Sequence, residues 1–136
     1  QASEIFEFKL NILTPKSLRL KSISILKDKK LKFSKFIDDI NDGLKDVDCV
    51  MTDAWVSMGE KNLKNKKNKL KKFQENQNII NKAKKNVIFM HCLPAHRNEE
   101  VTDSVIDSKY SLVWQQAKNR MYVQQSILNF LINYVK

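Results

Sequence analysis

Two short apolar runs, each opening into an unusual loop and set apart by a long polar stretch, constrain this chain more than any other feature. Residues 47–52 (Val-Asp-Cys-Val-Met-Thr) and 87–90 (Val-Ile-Phe-Met) are too short and too apolar for surface helices and fit strands buried inside a parallel sheet. Parallel strands need a long crossover between them, and residues 60–84 supply one. A third run, residues 8–13, alternates apolar with polar residues and stops at Thr14 and Pro15, as a strand does when proline cannot continue the ladder.

The segments between these runs fill in an α/β pattern. Residues 16–30 are basic and irregular, a short helix or a loop, and residues 31–36 can form a second short strand. Asp38 and Asp39 offer capping oxygens for a helical turn through Ile40 and Leu44. Residues 60–84 have sparse apolar positions and read as two helices joined near residues 73–76, while Thr102 can cap a short helix through Val105 and Ile106. Residues 111–114 are expected to make a last strand. From Asn119 onward Met121, Leu128, Leu131, Ile132 and Val135 recur at helical spacing, which predicts an amphipathic helix packed back on the sheet. Alternating strands and helices predict a three-layer α/β/α structure with a mostly parallel central sheet, in which ligands collect beyond the carboxyl ends of the strands. The loops at residues 53–59 and 91–97 both leave such ends.

Composition narrows the possible functions. The chain has 136 residues, 42% of them hydrophobic, which suits one globular domain. No stretch is apolar and uncharged for the length a bilayer demands, so membrane functions drop out. Cys49 and Cys92 lack metal-ligand spacing and do not form a disulfide framework, which points to a reducing, cytoplasmic setting. The net charge of +10 invites a nucleic-acid reading. The excess is concentrated at residues 61–85, however, where lysine alternates with asparagine and glutamine and no aromatic ladder is interleaved. A solvated helical face accounts for it. The sequence opens at Gln1 without a targeting pattern, and its first residues read as the end of a helix already under way, so an upstream part is expected.

Several residues could carry chemistry, and each also has a structural reading. Asp53 at a strand tip can pair with a ligand ammonium or cap the next helix. Ser57 offers a hydroxyl, Met58 an apolar wall and Gly59 a close backbone turn, while Trp55 and Met58 can equally fill core. Cys92, beside His91 at the end of an apolar strand, is either a polarised thiol facing a substrate or a buried free cysteine. The Leu93–Pro94 bond is a candidate for the cis form, which would turn the Leu93 carbonyl toward a ligand. Arg120, placed by this reading at the start of the last helix, is either an anion contact assisted by helix-start amides or a surface arginine. His96 and Arg97 face substrate or solvent, and Cys49 sits mid-strand as core.

Taken in order, residues 53–60, 73–76, 89–97, 99–103 and 116–120 resemble the ornithine carbamoyltransferases, a branch of the aspartate/ornithine carbamoyltransferase family. The most specific pieces are Ser57-Met58-Gly59 and His91-Cys92-Leu93-Pro94. The resemblance implies a Rossmann-like, C-terminal ornithine-binding domain over residues 1–136, incomplete at its N-terminal end, without the N-terminal carbamoyl-phosphate-binding domain. The implied reaction joins the δ-amine of L-ornithine to carbamoyl phosphate, giving L-citrulline and phosphate, with neither metal nor organic cofactor.

Roles follow by resemblance. Asp53 would bind the α-ammonium of ornithine, with Ser57 and Met58 completing that subsite. Cys92 would lie near the attacking amine without forming a covalent intermediate. The Leu93 carbonyl would accept from the carbamoyl NH₂ group, and Arg120 would hold the carbamoyl oxygen. The implied assembly is a homotrimer or a multiple of one, in arginine metabolism, and these 136 residues alone are expected to be inactive. Phe73 stands where the family usually has tyrosine and Lys118 where it often has glutamate, and the linker from Gly59 to Phe73 is unusually lysine-rich. Two other readings compete: a non-catalytic binding or regulatory subunit, and a basic nucleic-acid module using residues 61–72.

Overall fold

The computed structural model describes residues 1–19, 31–56 and 63–134. In chain order it comprises α1 (Ala2–Ile5), β1 (Leu10–Leu13), β2 (Ser34–Ile37), α2 (Ile40–Leu44), β3 (Cys49–Thr52), α3 (Leu63–Leu70), a 3₁₀ turn (Lys71–Phe73), α4 (Gln77–Ile80), β4 (Ile88–His91), α5 (Asp103–Ile106) and α6 (Val113–Tyr134). The fold is α/β, and both strand pairings, β1 with β2 and β3 with β4, are parallel. Among the described residues these are two separate two-stranded sheets rather than one continuous sheet.

Local chemistry explains most boundaries. Asp39 caps α2 by accepting from the backbone N–H groups of Asn41 and Asp42 at 2.7 and 3.0 Å. Asp38 instead meets Lys16 and Arg19, at 3.1 and 2.7 Å. The buried Arg19 guanidinium also donates to the carbonyls of Thr14 and Ile37, tying the ends of β1 and β2 together. Asn76 caps α4 by accepting from the Ile79 N–H. Thr102 occupies the N-cap position of α5 without a capping side-chain bond. At Gly43 in α2, an added Cβ would lie 2.5 Å from Leu13 Cδ2, so the absent side chain lets α2 close on β1.

The core is shared among elements. β3 and β4 contribute Val50 and Phe89, α4 Ile79 and Ile80, and α5 Val105 and Ile106. Two expectations are overturned near the C-terminus. The last strand expected at residues 111–114 is a single bridge from Ser111 to Phe89, bracketed by hydrogen bonds from Phe89 N to Tyr110 O and from Leu112 N to Phe89 O. The next residue, Val113, already begins α6, six positions before Asn119. The helix also does not lie back on the sheet along its length. Val113 is buried, whereas Met121, Val123, Ile127, Leu128, Phe130, Leu131 and Ile132 are exposed. At about 100° per residue these side chains fall on one broad face, about half of the circumference, and that face is left uncovered by the described residues.

Residues 100–102 are stitched to Glu75. Glu75 N donates to Glu100 O at 2.8 Å, and Thr102 N donates to Glu75 O at 3.0 Å. The Glu75 carboxyl is buried with Oε2 unpartnered, and this desolvation pushes it up to about 8. The folded chain thus retains a proton that the unfolded chain releases above the ordinary value of 4.5. The associated stability is fully present below that value and is lost as pH rises through about 8. Glu75→Gln, which cannot ionise, is expected to stabilise the fold at alkaline pH by on the order of a few kcal/mol relative to its effect near pH 4.5, read as a raised thermal midpoint. Melting curves across that range check this, and a pH-independent difference between the two proteins would refute it.

Candidate active site

The parallel register of β3 and β4 pairs Thr52 with His91. Because both strands run the same way, the residues that follow, Asp53 and Cys92, leave the sheet side by side. Cys92 Sγ donates to Asp53 Oδ1 at 2.8 Å, and the same oxygen accepts from Ala54 N at 2.7 Å. The thiol hydrogen bond is the largest influence holding the Asp53 carboxyl below its ordinary value, aided by the Ala54 amide against a desolvation penalty. The converse holds for the thiol. Its hydrogen bond to Asp53, then burial, then the Asp53 charge push Cys92 up, opposed by its own backbone and by Arg120. The pair therefore consists of an ionised carboxylate and a protonated thiol at neutral pH, which disfavours a cysteine nucleophile.

The peptide bond between Leu93 and Pro94 is cis, as anticipated, and Leu93 itself adopts φ 52°, a left-handed conformation that leucine rarely takes. His91 does not polarise the thiol. Its ring is buried, Nδ1 accepts from Leu93 N at 2.9 Å, and Nε2 faces Glu100 Oε1 at 3.3 Å without the alignment of a full hydrogen bond. Adjacency in sequence suggested a Cys–His pair, whereas strand alternation sends neighbouring side chains to opposite sides.

Arg120 reaches the site from α6, with Nη1 3.5 Å from the Cys92 carbonyl oxygen. It lies well inside the helix, which begins at Val113, so helix-start amides do not assist it. Met90, Gln116, Asn119, Arg120, Val123 and Gln124 line a groove of about 370 Å³ beside it. Gln116 belongs to the 116–120 segment, but no role for it was read from the sequence: its Oε1 accepts from His91 N at 3.1 Å and pins α6 to the end of β4. Its place four residues before Arg120, on the same helical face, was a further signal. Lys118 sits over the Tyr122 ring at 5.8 Å. Ser57, Met58 and Gly59 lie outside the described residues.

His96 and Arg97 are held by protein partners. The backbone N–H of His96 donates to Glu100, and Arg97 bonds Asp103 and Asp107. Cys49 is exposed rather than core, because its position in β3 alternates with the buried Val50. Among the described residues His96, Glu99 and Glu100 place ligand atoms within 4.8 Å of one another. Lys67 Nζ already meets Glu99 at 2.5 Å there, and the His96 amide takes Glu100.

Residues 1–131 match the family model described as the Asp/Orn binding domain of aspartate/ornithine carbamoyltransferase. An ornithine carbamoyltransferase of Rhodopseudomonas palustris is 44% identical over 98% of this chain and 44% of its own length. One from Ruthia magnifica is 42% identical, again over 98% of this chain and 44% of its own length. The solved ornithine carbamoyltransferase of Burkholderia thailandensis superposes with a TM-score of 0.80 at 35% identity, covering 97% of this chain and 41% of that one. That of Campylobacter jejuni gives 0.77 at 33% identity, covering 96% and 45%. The chain belongs to the aspartate/ornithine carbamoyltransferase family. It spans less than half the length of the curated relatives it matches.

The Asp53–Cys92 bond makes a direct prediction. In a Cys49→Ala background, Asp53→Asn removes the charge and the strong acceptor that hold the Cys92 thiol up, so the pH midpoint for alkylation of Cys92 by iodoacetamide is expected to fall by about one unit. An unmoved midpoint would mean that the two groups are not bonded in solution.

Proposed function

We propose that this chain is the ornithine-binding part of an ornithine carbamoyltransferase, which transfers the carbamoyl group of carbamoyl phosphate to the δ-amine of L-ornithine, giving L-citrulline and phosphate. The observation that carries this reading is the contact of Asp53 with Cys92 at 2.8 Å beneath Arg120, which forms one small site able to hold both an ammonium and a reacting carbonyl. The names of the relatives support the choice of ornithine.

In this reading the ionised Asp53 binds the α-ammonium of ornithine. Both of its observed bonds use Oδ1, so Oδ2 is the oxygen a ligand would take. Ser57 and Met58 complete the subsite. Cys92 lies along the ligand toward the δ-amine, and its protonated thiol positions that amine without attacking the carbamoyl carbon. The Leu93 carbonyl accepts from the carbamoyl NH₂ group. Arg120 donates to the carbamoyl oxygen, where negative charge grows as the amine adds and the tetrahedral centre forms. The centre then collapses by breaking its C–O bond to phosphate, which leaves carrying the proton that the amine gives up. Alignment and fixed electrostatics, rather than a covalent enzyme intermediate, lower the barrier.

A carbamoyl-phosphate-binding N-terminal domain would supply the phosphate ligands, in a cytoplasmic homotrimer or a multiple of one serving arginine metabolism. The 136 residues alone would then be inactive. Citrulline formation measured on this span and on the full-length protein tests this: activity is expected only in the full-length protein, and turnover by the span would overturn the division of labour. In the full-length protein Asp53→Asn is expected to raise the ornithine KM roughly tenfold to a hundredfold through loss of a charged hydrogen bond.

The reacting amine must be neutral, and its ordinary value is lysine-like, near about 10.4. The kcat/KM for ornithine is therefore expected to climb from neutral toward alkaline pH. A flat profile over that range would rule out attack by a free amine drawn from its protonated pool.

A further inference from the structure

The resemblance and the proposed mechanism leave His91 without a task, yet both its ring and its backbone are tied down close to the candidate site. Its ring is fully buried, as is Glu100. In the neutral imidazole, Nδ1 must be the unprotonated nitrogen, because it accepts from Leu93 N at 2.9 Å. The hydrogen then sits on Nε2, the edge that faces Glu100 Oε1 at 3.3 Å. The Glu100 carboxylate is itself fixed by the His96 amide, so the ring is held between the loop that follows Pro94 and the turn it supports. On the other side His91 N donates to Gln116 Oε1, which fixes the backbone of the same residue against α6.

We infer that His91 is a positioning residue whose Nδ1, by holding the Leu93 amide, sets the left-handed turn that keeps Cys92 against Asp53 and fixes Leu93 at the reaction site. The inference deepens the carbamoyl-transfer reading and rests on it for its catalytic meaning. It does not make His91 the proton acceptor of the thiol: Nδ1 is committed to Leu93, Nε2 faces Glu100, and the thiol proton goes to Asp53. Leu93 at φ 52° needs such a restraint, because a leucine released from it would relax toward negative φ and carry the Cys92 carbonyl, now 3.5 Å from Arg120, out of place.

Two polar substitutions of similar burial cost separate this role from general packing. Asparagine at position 91 places its amide oxygen near the Nδ1 position and keeps the acceptor for Leu93, whereas glutamine reaches the Nε2 position and keeps only the partner of Glu100. Cys92 alkylation is measured against pH in full-length His91→Asn and His91→Gln proteins, each in a Cys49→Ala background. The charged groups acting on the thiol are Asp53 and Arg120. His91→Gln is expected to lower the midpoint as Asp53→Asn does, with no further fall in the double variant, while His91→Asn stays near the parent. In the same pair, kcat for citrulline formation is expected to drop on the order of tenfold or more in His91→Gln and to be largely restored in His91→Asn.

Equal midpoints in the two variants, or the reverse order, would overturn the inference. A midpoint that rises on losing His91 would overturn it as well, since that is the signature of an imidazole drawing the proton from Cys92. Should the parent protein form no citrulline, the carbamoyl-transfer reading fails on its own, and the thiol midpoints still decide whether His91 holds the turn.

Discussion

The arrangement depends first on the parallel ladder between β3 and β4. Parallel strands end at the same edge of a sheet, so two residues distant in sequence emerge together whenever the register is flush. Here Thr52 pairs with His91, and the next pair, Asp53 and Cys92, touches. A slip of one residue would exchange Val50 and Phe89, both buried, for the neighbours that now face outward. The hydrophobic core thus fixes the register, and the register places a carboxylate against a thiol. The charge states of both groups follow from that contact, with the acid held down and the thiol held up.

Around this edge, burial of polar groups takes over from burial of apolar ones. His91, Glu100 and Glu75 lie in or against the core, and their bonds run to backbone amides and to residues 96–102. Such groups stabilise little on balance, because desolvation offsets much of what each hydrogen bond contributes, but they specify one conformation sharply. That trade suits a loop that must hold Leu93 in a left-handed conformation. The exposed pairs Lys67–Glu99 and Lys84–Asp48 carry far less weight, since solvent screens them.

α6 has a different role at each end. Near its start Val113 enters the core and Gln116 bonds the His91 backbone, and one turn later Arg120 reaches the Cys92 carbonyl. Beyond that the helix presents a broad apolar face that the described residues leave exposed. Its first turns border the candidate site. Its later ones make no comparable commitment to the β3–β4 sheet.

The sequence by itself determined the parallel α/β class, the two strands that end at Asp53 and Cys92 and the Asp39 cap, and it singled out Asp53, Cys92 and Arg120 as candidates. Those features are written in short-range patterns: apolar runs, a capping carboxylate before a helical turn, and motifs at strand ends. Where the pattern was ambiguous, reading it locally failed. Residues 111–114 have strand-like composition, yet they make one bridge before the helical preference of the following residues takes over, and the exposure of Cys49 depended on which face of β3 met the core. Tertiary structure alone decided the partners. His91 next to Cys92 suggested a thiol–imidazole pair, but adjacent strand residues point apart. The thiol therefore found Asp53, thirty-nine positions away, and the imidazole found Leu93 and Glu100. Sequence order sets which side chains are available, and only the packing of strands and helices sets which of them come within a hydrogen bond's reach.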